Sequence, residues 1–484
     1  MKTVISIFKR AIVIVIFLNF ISLSVTSATD REETINEYLL NEIDKGDIKD
    51  LSVVIVKDGK IFYRNTFNKS SEIITNNTLF EIGSNSKAFT ALGVLKLYKE
   101  GKIDLNDDIK KYLPWLNVTF NGKTEKITIH DLLHHRSGIP YSSISEIPKN
   151  NKNFGLKATA WQLKDLKLNQ IPGKKYEYVT FNYDLLGLII EEVSGEKFSD
   201  FMYKEILQPL GLENTTVGYE YFGHDKAIGY KNGFFTTFRY DAPKYYGNVP
   251  AGYFNSNIID ISRWINIQLG NIKIKGFEDL IILSQENSSS INSKLNYAAG
   301  WFQLDDKKNT ELFHGGNNPN YSSFILIDKK NNIGIGVLNN LNTSYSTSIA
   351  YGLKDIISPG VTESIPKDFN QRIDKILTFS ILVLLIFNVF LFLKINKLIK
   401  EDRGQNIRIK IVNLKTIFIA ALITIFFFLL YKLPTLLLGM SWDFLIVWLP
   451  FSLIPAVILI SLLVLSTAIY FSIRLSLRNR REIT

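Results

Sequence analysis

The chain has 484 residues, no cysteine and a formal net charge of +10. The length allows two or three structural units, and the missing thiols exclude disulfides, thiol catalysis and cysteine-based zinc sites. The charge is segregated: residues 1–28 carry +3 and residues 394–484 carry +8, which leaves residues 29–393 within one charge of neutral, so the basicity gives no ground for nucleic-acid binding.

Residues 1–28 read as a secretory signal peptide. Lys2, Lys9 and Arg10 precede the apolar run Ala11–Leu23, and small residues follow before Thr29. Arg31–Lys45 has Ile35, Leu39, Leu40 and Ile43 at helical spacing. Leu51–Lys57 and Lys60–Phe67 are strand-like runs around Asp58-Gly59, a hairpin signal. An amphipathic helix is predicted over Ala88–Tyr98, and the middle of the chain, about 105–290, reads as helices and loops. Strand signals return at Ala299–Leu304, Glu311–Phe313, Tyr321–Asp328 and Ile333–Leu338, followed by a helix at about Ser344–Ile357. Strands from both ends of residues 29–357 around a helical insert predict an α/β domain: one antiparallel sheet flanked by helices, plus a helical subdomain.

Residues 358–372 read as a linker, and 373–484 as a membrane domain. Its apolar runs at 376–393, 414–431 and 444–473 are long enough to span a bilayer, the last interrupted by Pro450 and Pro455 and so expected to be kinked. Basic residues cluster between the first two runs and after the third, while the segment between the second and third holds only Lys432. The positive-inside rule then places residues 29–375 outside the cytoplasm, anchored to the lipid bilayer.

The stretch Phe80-Glu81-Ile82-Gly83-Ser84-Asn85-Ser86-Lys87-Ala88-Phe89-Thr90 carries the chemistry. Ser-x-x-Lys occurs four times, but Ser6/Lys9 lies in the signal peptide, Ser194/Lys197 in a Gly-Glu turn and Ser364/Lys367 beside Pro366. Only Ser84 follows an apolar strand-like run and opens a helix-forming stretch. Residues three apart share a helix face, so hydroxyl and amine sit together over the positive end of the helix dipole. That arrangement activates a serine without a catalytic histidine. A buried Tyr178 near the lysine is a second proton carrier, with its phenolate favoured by the ammonium. The glycines of Phe313-His314-Gly315-Gly316-Asn317 let substrate backbone approach a strand edge, where an N–H joins that of Ser84 in holding an oxyanion.

Five ordered segments extend this pattern: Phe80–Thr90, Ile127–Pro140, Pro172–Gly187, Pro250–Tyr253, and Gly300-Trp301 through Gly316. Together they resemble the serine β-lactamase-like superfamily of class C type, which includes D-Ala-D-Ala carboxypeptidases, D-aminopeptidases and esterases. The resemblance implies Ser84 as the acylated nucleophile and Lys87 and Tyr178 as sharers of the acid–base work. It places His314-Gly315-Gly316 on the substrate-binding strand, with the N–H of Asn317 completing the oxyanion hole. Sequence leaves open which of Lys87 and Tyr178 takes the first proton. Thr180 stands where the family has an asparagine, and His314 where it has a lysine. Both changes point away from an efficient β-lactamase and toward a peptidase, amidase or esterase.

The layout is also similar to membrane peptidases that remove an N-acyl-D-amino-acid prodrug motif, the colibactin-maturing peptidase being the known type. In that reading Glu81 meets a substrate amine and the substrate is a nonribosomal peptide precursor; in the penicillin-binding-protein or D-peptidase reading it is a peptidoglycan stem peptide. No cofactor or metal is implied: His130, His134 and His135 share a helix spacing but have no evident carboxylate partner. The rival to an enzyme is a cell-wall or β-lactam sensor acylated without turnover.

Overall fold

The computed structural model describes residues 31–153, 155–221, 225–286, 289–306, 309–358, 368–402 and 414–481. The expected signal peptide and most of the expected linker lie outside these residues. The first helix, α1 (residues 31–46), buries Ile35, Leu39 and Ile43, whereas Leu40, also assigned to the apolar face, is 46% exposed.

Strands β1 (Asp50–Lys57) and β2 (Lys60–Asn68) form the expected hairpin, with Asp58 and Gly59 both at positive φ, the twist-matched turn for two central residues. From the other end come β3 (Ser289–Ser290), β4 (Leu295–Ala298), β5 (Trp301–Asp306), β6 (Asn309–Asn318), β7 (Tyr321–Asp328) and β8 (Ile333–Asn339). They join one antiparallel sheet in the order β3-β4-β5-β6-β7-β8-β1-β2. The pair β3 and β4 lies beyond the strands expected from sequence, and β6 runs five residues past Phe313, through the glycines.

Both faces of the sheet are covered, which is why β1 reads Val53-Val54-Ile55-Val56 rather than alternating with polar residues. Val53 and Ile55 pack with α1 and with α6 (Tyr345–Ile357). Val54 and Val56 pack on the opposite side, with α5 (Ile258–Leu269) and the helical region. There α2 (Ser86–Lys99) is enclosed all round as far as Leu95, so the predicted amphipathic stripe is instead a buried helix between sheet and subdomain. The subdomain includes α3 (Ile129–Leu133), opened by a Thr128/Asp131 capping box, and α4 (Phe181–Ser194), closed by Gly195 in the left-handed region.

Among the described residues, three helices are long and apolar enough to cross a membrane: α7 (Phe369–Asp402), α8 (Leu414–Leu438) and α10 (Leu453–Arg481). Helix α7 starts within the stretch read as linker, with Asp368 accepting from the N–H of Gln371 and the hydroxyl of Thr343. The third apolar run is not one kinked helix. A short helix, α9 (Trp442–Trp448), ends at an extended Leu449, because Pro450 disfavours helical geometry in the residue before it. Pro455 falls in the first turn of α10, where its missing N–H is not needed.

Candidate active site

Ser84 sits in a single 3₁₀ turn (Gly83–Asn85) that runs directly into α2. Gly83 has φ +52°, and a Cβ there would lie 2.5 Å from the backbone nitrogen of Asn317. A Cβ on Gly316 would lie 1.9 Å from the Ile82 carbonyl oxygen. The two glycines therefore let the Ser84 turn rest against β6 at backbone contact distance. Ser86 locks the turn by donating to the Gly83 carbonyl at 2.6 Å and accepting from the Phe254 N–H at 3.0 Å.

Lys87, fully buried, places Nζ 3.0 Å from Ser84 Oγ and donates to the Ala251 carbonyl at 2.7 Å. Burial pulls its ammonium down to about 7, against the opposing pull of the Asp184 carboxylate. Both oxygens of Asp184 are held by the Asn248 amide, at 3.0 and 2.8 Å, and burial pushes this carboxyl well above its usual range. The Tyr178 side chain lines the same cavity as Ser84, within hydrogen-bonding reach of it, and its ring lies 5.1 Å from Lys87 Nζ. Burial raises the Tyr178 pKa rather than lowering it, so the expected stabilised phenolate gives way to a retained phenol. The three groups do meet at one hydroxyl.

His135, in the left-handed region at φ 53°, packs against Tyr178 with tilted rings, centroids 4.3 Å apart. Its Nδ1 accepts from the Val179 N–H (3.1 Å) and lies 3.0 Å from the Asn182 amide nitrogen, so the proton resides on Nε2. Burial and the Lys87 charge keep this ring neutral. No group of three or more metal-ligating side chains occurs among the described residues.

His314 is buried, and burial next to Lys87 takes its pKa to about 3. Its Nδ1 bonds the Gly315 carbonyl at 2.7 Å, which can only accept, so Nε2 accepts from the Tyr297 hydroxyl at 3.2 Å. It is thus a neutral polar wall where the family lysine is a cation. Strand β5 pairs with β6 only as far as Phe313, so from His314 onward β6 has β7 on one side alone. Gly315 and Asn317 line a cavity of about 330 Å³ together with Ser84, Tyr178, Thr180 and His314. Thr180 makes no capping bond to α4, leaving its hydroxyl to the cavity.

Glu81 does not belong with this set. It is 6% exposed and absent from the cavity wall, ion-paired to Lys226 at 2.6 Å and bonded by the Asn318 amide. Each of its oxygens is thus engaged by another side chain of the protein. Residues that carried no role in the sequence reading are Asp184, Asn248, His135 and the Ala251 carbonyl. All but Asn248 fall inside the quoted segments Ile127–Pro140, Pro172–Gly187 and Pro250–Tyr253, which was the available signal.

The Beta-lactamase family model matches residues 35–353. Protein flp of Staphylococcus aureus strain MW2 is 33% identical over 457 residues, covering 91% of this chain and 90% of that protein. Its counterpart in strain MRSA252 is 34% identical over 442 residues, 87% of this chain and 86% of that one. A putative D-alanyl-D-alanine carboxypeptidase of Escherichia coli K12 is 30% identical over 207 residues, 38% of this chain and 47% of its own length. Among solved structures, the octameric penicillin-binding protein homologue from Pyrococcus abyssi has a similar fold, with TM-score 0.60 at 24% identity over 71% of this chain and 81% of that one. With the matched segment spanning the sheet, the helical subdomain and the Ser84 turn, this chain belongs to the β-lactamase family.

Proposed function

We propose that this protein is a membrane-anchored extracytoplasmic serine hydrolase that cleaves peptide or amide bonds through an acyl-enzyme on Ser84. The observation that carries the reading is the convergence of Lys87 Nζ, 3.0 Å away, and the Tyr178 phenol on the Ser84 hydroxyl, at the wall of a cavity. Lys87, near-neutral at physiological pH, takes the hydroxyl proton as Ser84 Oγ attacks the carbonyl carbon. The N–H groups of Ser84 and Asn317 hold the resulting oxyanion. Tyr178, kept protonated by burial, donates to the departing nitrogen and regains a proton from the Lys87 ammonium. Water then releases the acyl group by the reverse route.

Orientation follows from two supports: the distribution of basic residues, and the contact of α9, between the second and third apolar helices, with the hydrolase domain. The neutral His314 offers no cation to a substrate carboxylate, which favours an internal amide or an ester over a free C-terminal carboxylate. Within that class we place D-peptidase action on a peptidoglycan stem peptide or on a nonribosomal peptide precursor. The sensor reading predicts one label per Ser84 and no product. Steady product release from a peptide or aryl amide by the wild type, lost in Ser84→Ala, supports the enzyme; labelling without release contradicts it.

A further inference from the structure

Two side chains in the catalytic cavity come from outside the hydrolase fold. Phe444 and Trp448 line it together with Ser84, yet both belong to α9, which joins the second and third apolar helices. They are one turn apart on one helix face, with stacked rings 5.4 Å between centroids at 21°. Helix α9 is fastened to the domain. Lys149 pairs with Asp443 at 2.9 Å, Lys231 donates to the Ile446 carbonyl at 2.6 Å, and the Phe451 N–H bonds the Asn232 carbonyl at 2.9 Å.

The first apolar helix is fixed at the same level. Asp374 of α7 accepts the N–H groups of Phe234 and Phe235 (2.9 and 2.8 Å) and the Ser452 hydroxyl (2.6 Å). Phe234 and Phe235, at the tip of a hairpin, are 41% and 56% exposed beside these apolar helices, as side chains that dip into a bilayer surface would be. The cavity wall therefore includes the connection between the second and third apolar helices. Among the described residues no Asp, Glu, Lys or Arg lines it, and Ile144, Ile147 and Phe302 extend its apolar wall.

We infer that Phe444 and Trp448 are specificity-determining residues, and that the acyl donor is an amphipathic amide or ester lying at the bilayer surface, its alkyl part against these two rings and its scissile carbonyl at Ser84. The inference rests on the serine-hydrolase reading above and adds to it the substrate class and the part of the chain that selects it.

The test uses the full-length protein in phosphatidylglycerol vesicles with p-nitrophenyl acetate and p-nitrophenyl octanoate. Each methylene buried against the rings is worth on the order of fourfold in kcat/KM. The octanoate-to-acetate ratio should fall at least about tenfold in Trp448→Ala and recover in Trp448→Phe; an unchanged ratio in Trp448→Ala overturns the inference. Substrate partitioning into the vesicles cancels between variants. A second measurement needs no variant. The wild type is phosphonylated with an alkyl fluorophosphonate bearing a terminal diazirine and then irradiated. Cross-links from Ser84 to the peptide containing residues 442–448 are expected, and cross-links confined to other peptides overturn the inference. If Ser84 takes up no probe, the hydrolase reading itself falls, and this one with it.

Discussion

Lys87 and Lys226 are both withdrawn from water, yet they end in opposite states. Burial works against the charge of each. Lys226 has Glu81 in ionic contact at 2.6 Å, and the pair holds its ammonium above the usual lysine range. Lys87 hydrogen-bonds a hydroxyl and a carbonyl, and the carboxylate that acts on it, Asp184, is turned to the Asn248 amide. Its ammonium falls to about 7. The difference teaches that depth alone does not make a lysine a base: a contact carboxylate makes it a structural cation, and the removal of that contact makes it a proton acceptor.

The comparison can be broken in several places. Ser84→Ala should abolish turnover and fluorophosphonate labelling in a mass-spectrometric assay, since Lys87 then has no nucleophile to serve. Lys87→Ala and Tyr178→Phe should each slow acylation by about 10²–10⁴, measured by stopped-flow burst kinetics. Near-wild-type rates in both would remove them from the mechanism. Lys226→Met should act on folding instead, leaving Glu81 buried without its partner at a cost of about 3 kcal/mol in denaturant unfolding, with much of that recovered by adding Glu81→Gln.

The pH profile sharpens the contrast further. The active form of Lys87 is the neutral amine, so kcat/KM should climb as pH rises to about 7 and level off above it. His314, with its pKa near 3, is already neutral there and adds no limb. The smallest expected effect comes from Asp184→Asn. It removes the charge that favours the Lys87 ammonium, so the acid limb should move to lower pH; a move upward would contradict the assigned role.

What was legible in the sequence was what is local. Ser84 and Lys87 are three residues apart on a turn that enters a helix, so their proximity needs no knowledge of the fold. The β1–β2 hairpin is legible for the same reason, through Asp58-Gly59. The surroundings of Glu81 were not legible, because its partners, Lys226 and Asn318, arrive from distant segments. The stripe assigned to α2 failed because the helical subdomain covers the face expected to meet water. Helix α9 was hidden within an apolar run long enough to read as a single span. Only Pro450 marked the break, and nothing in the composition revealed that Phe444 and Trp448 turn toward the serine.

The central claim is that an amide or ester carbonyl is transferred to Ser84 and released again. Acid-quenching the full-length protein in mid-turnover with a p-nitrophenyl ester, followed by peptide mass spectrometry, addresses it directly. The account predicts an acyl mass on the peptide containing Ser84 that forms within the burst and decays when substrate is exhausted. Product release with no adduct on that peptide, and with Ser84→Ala equally active, would contradict it.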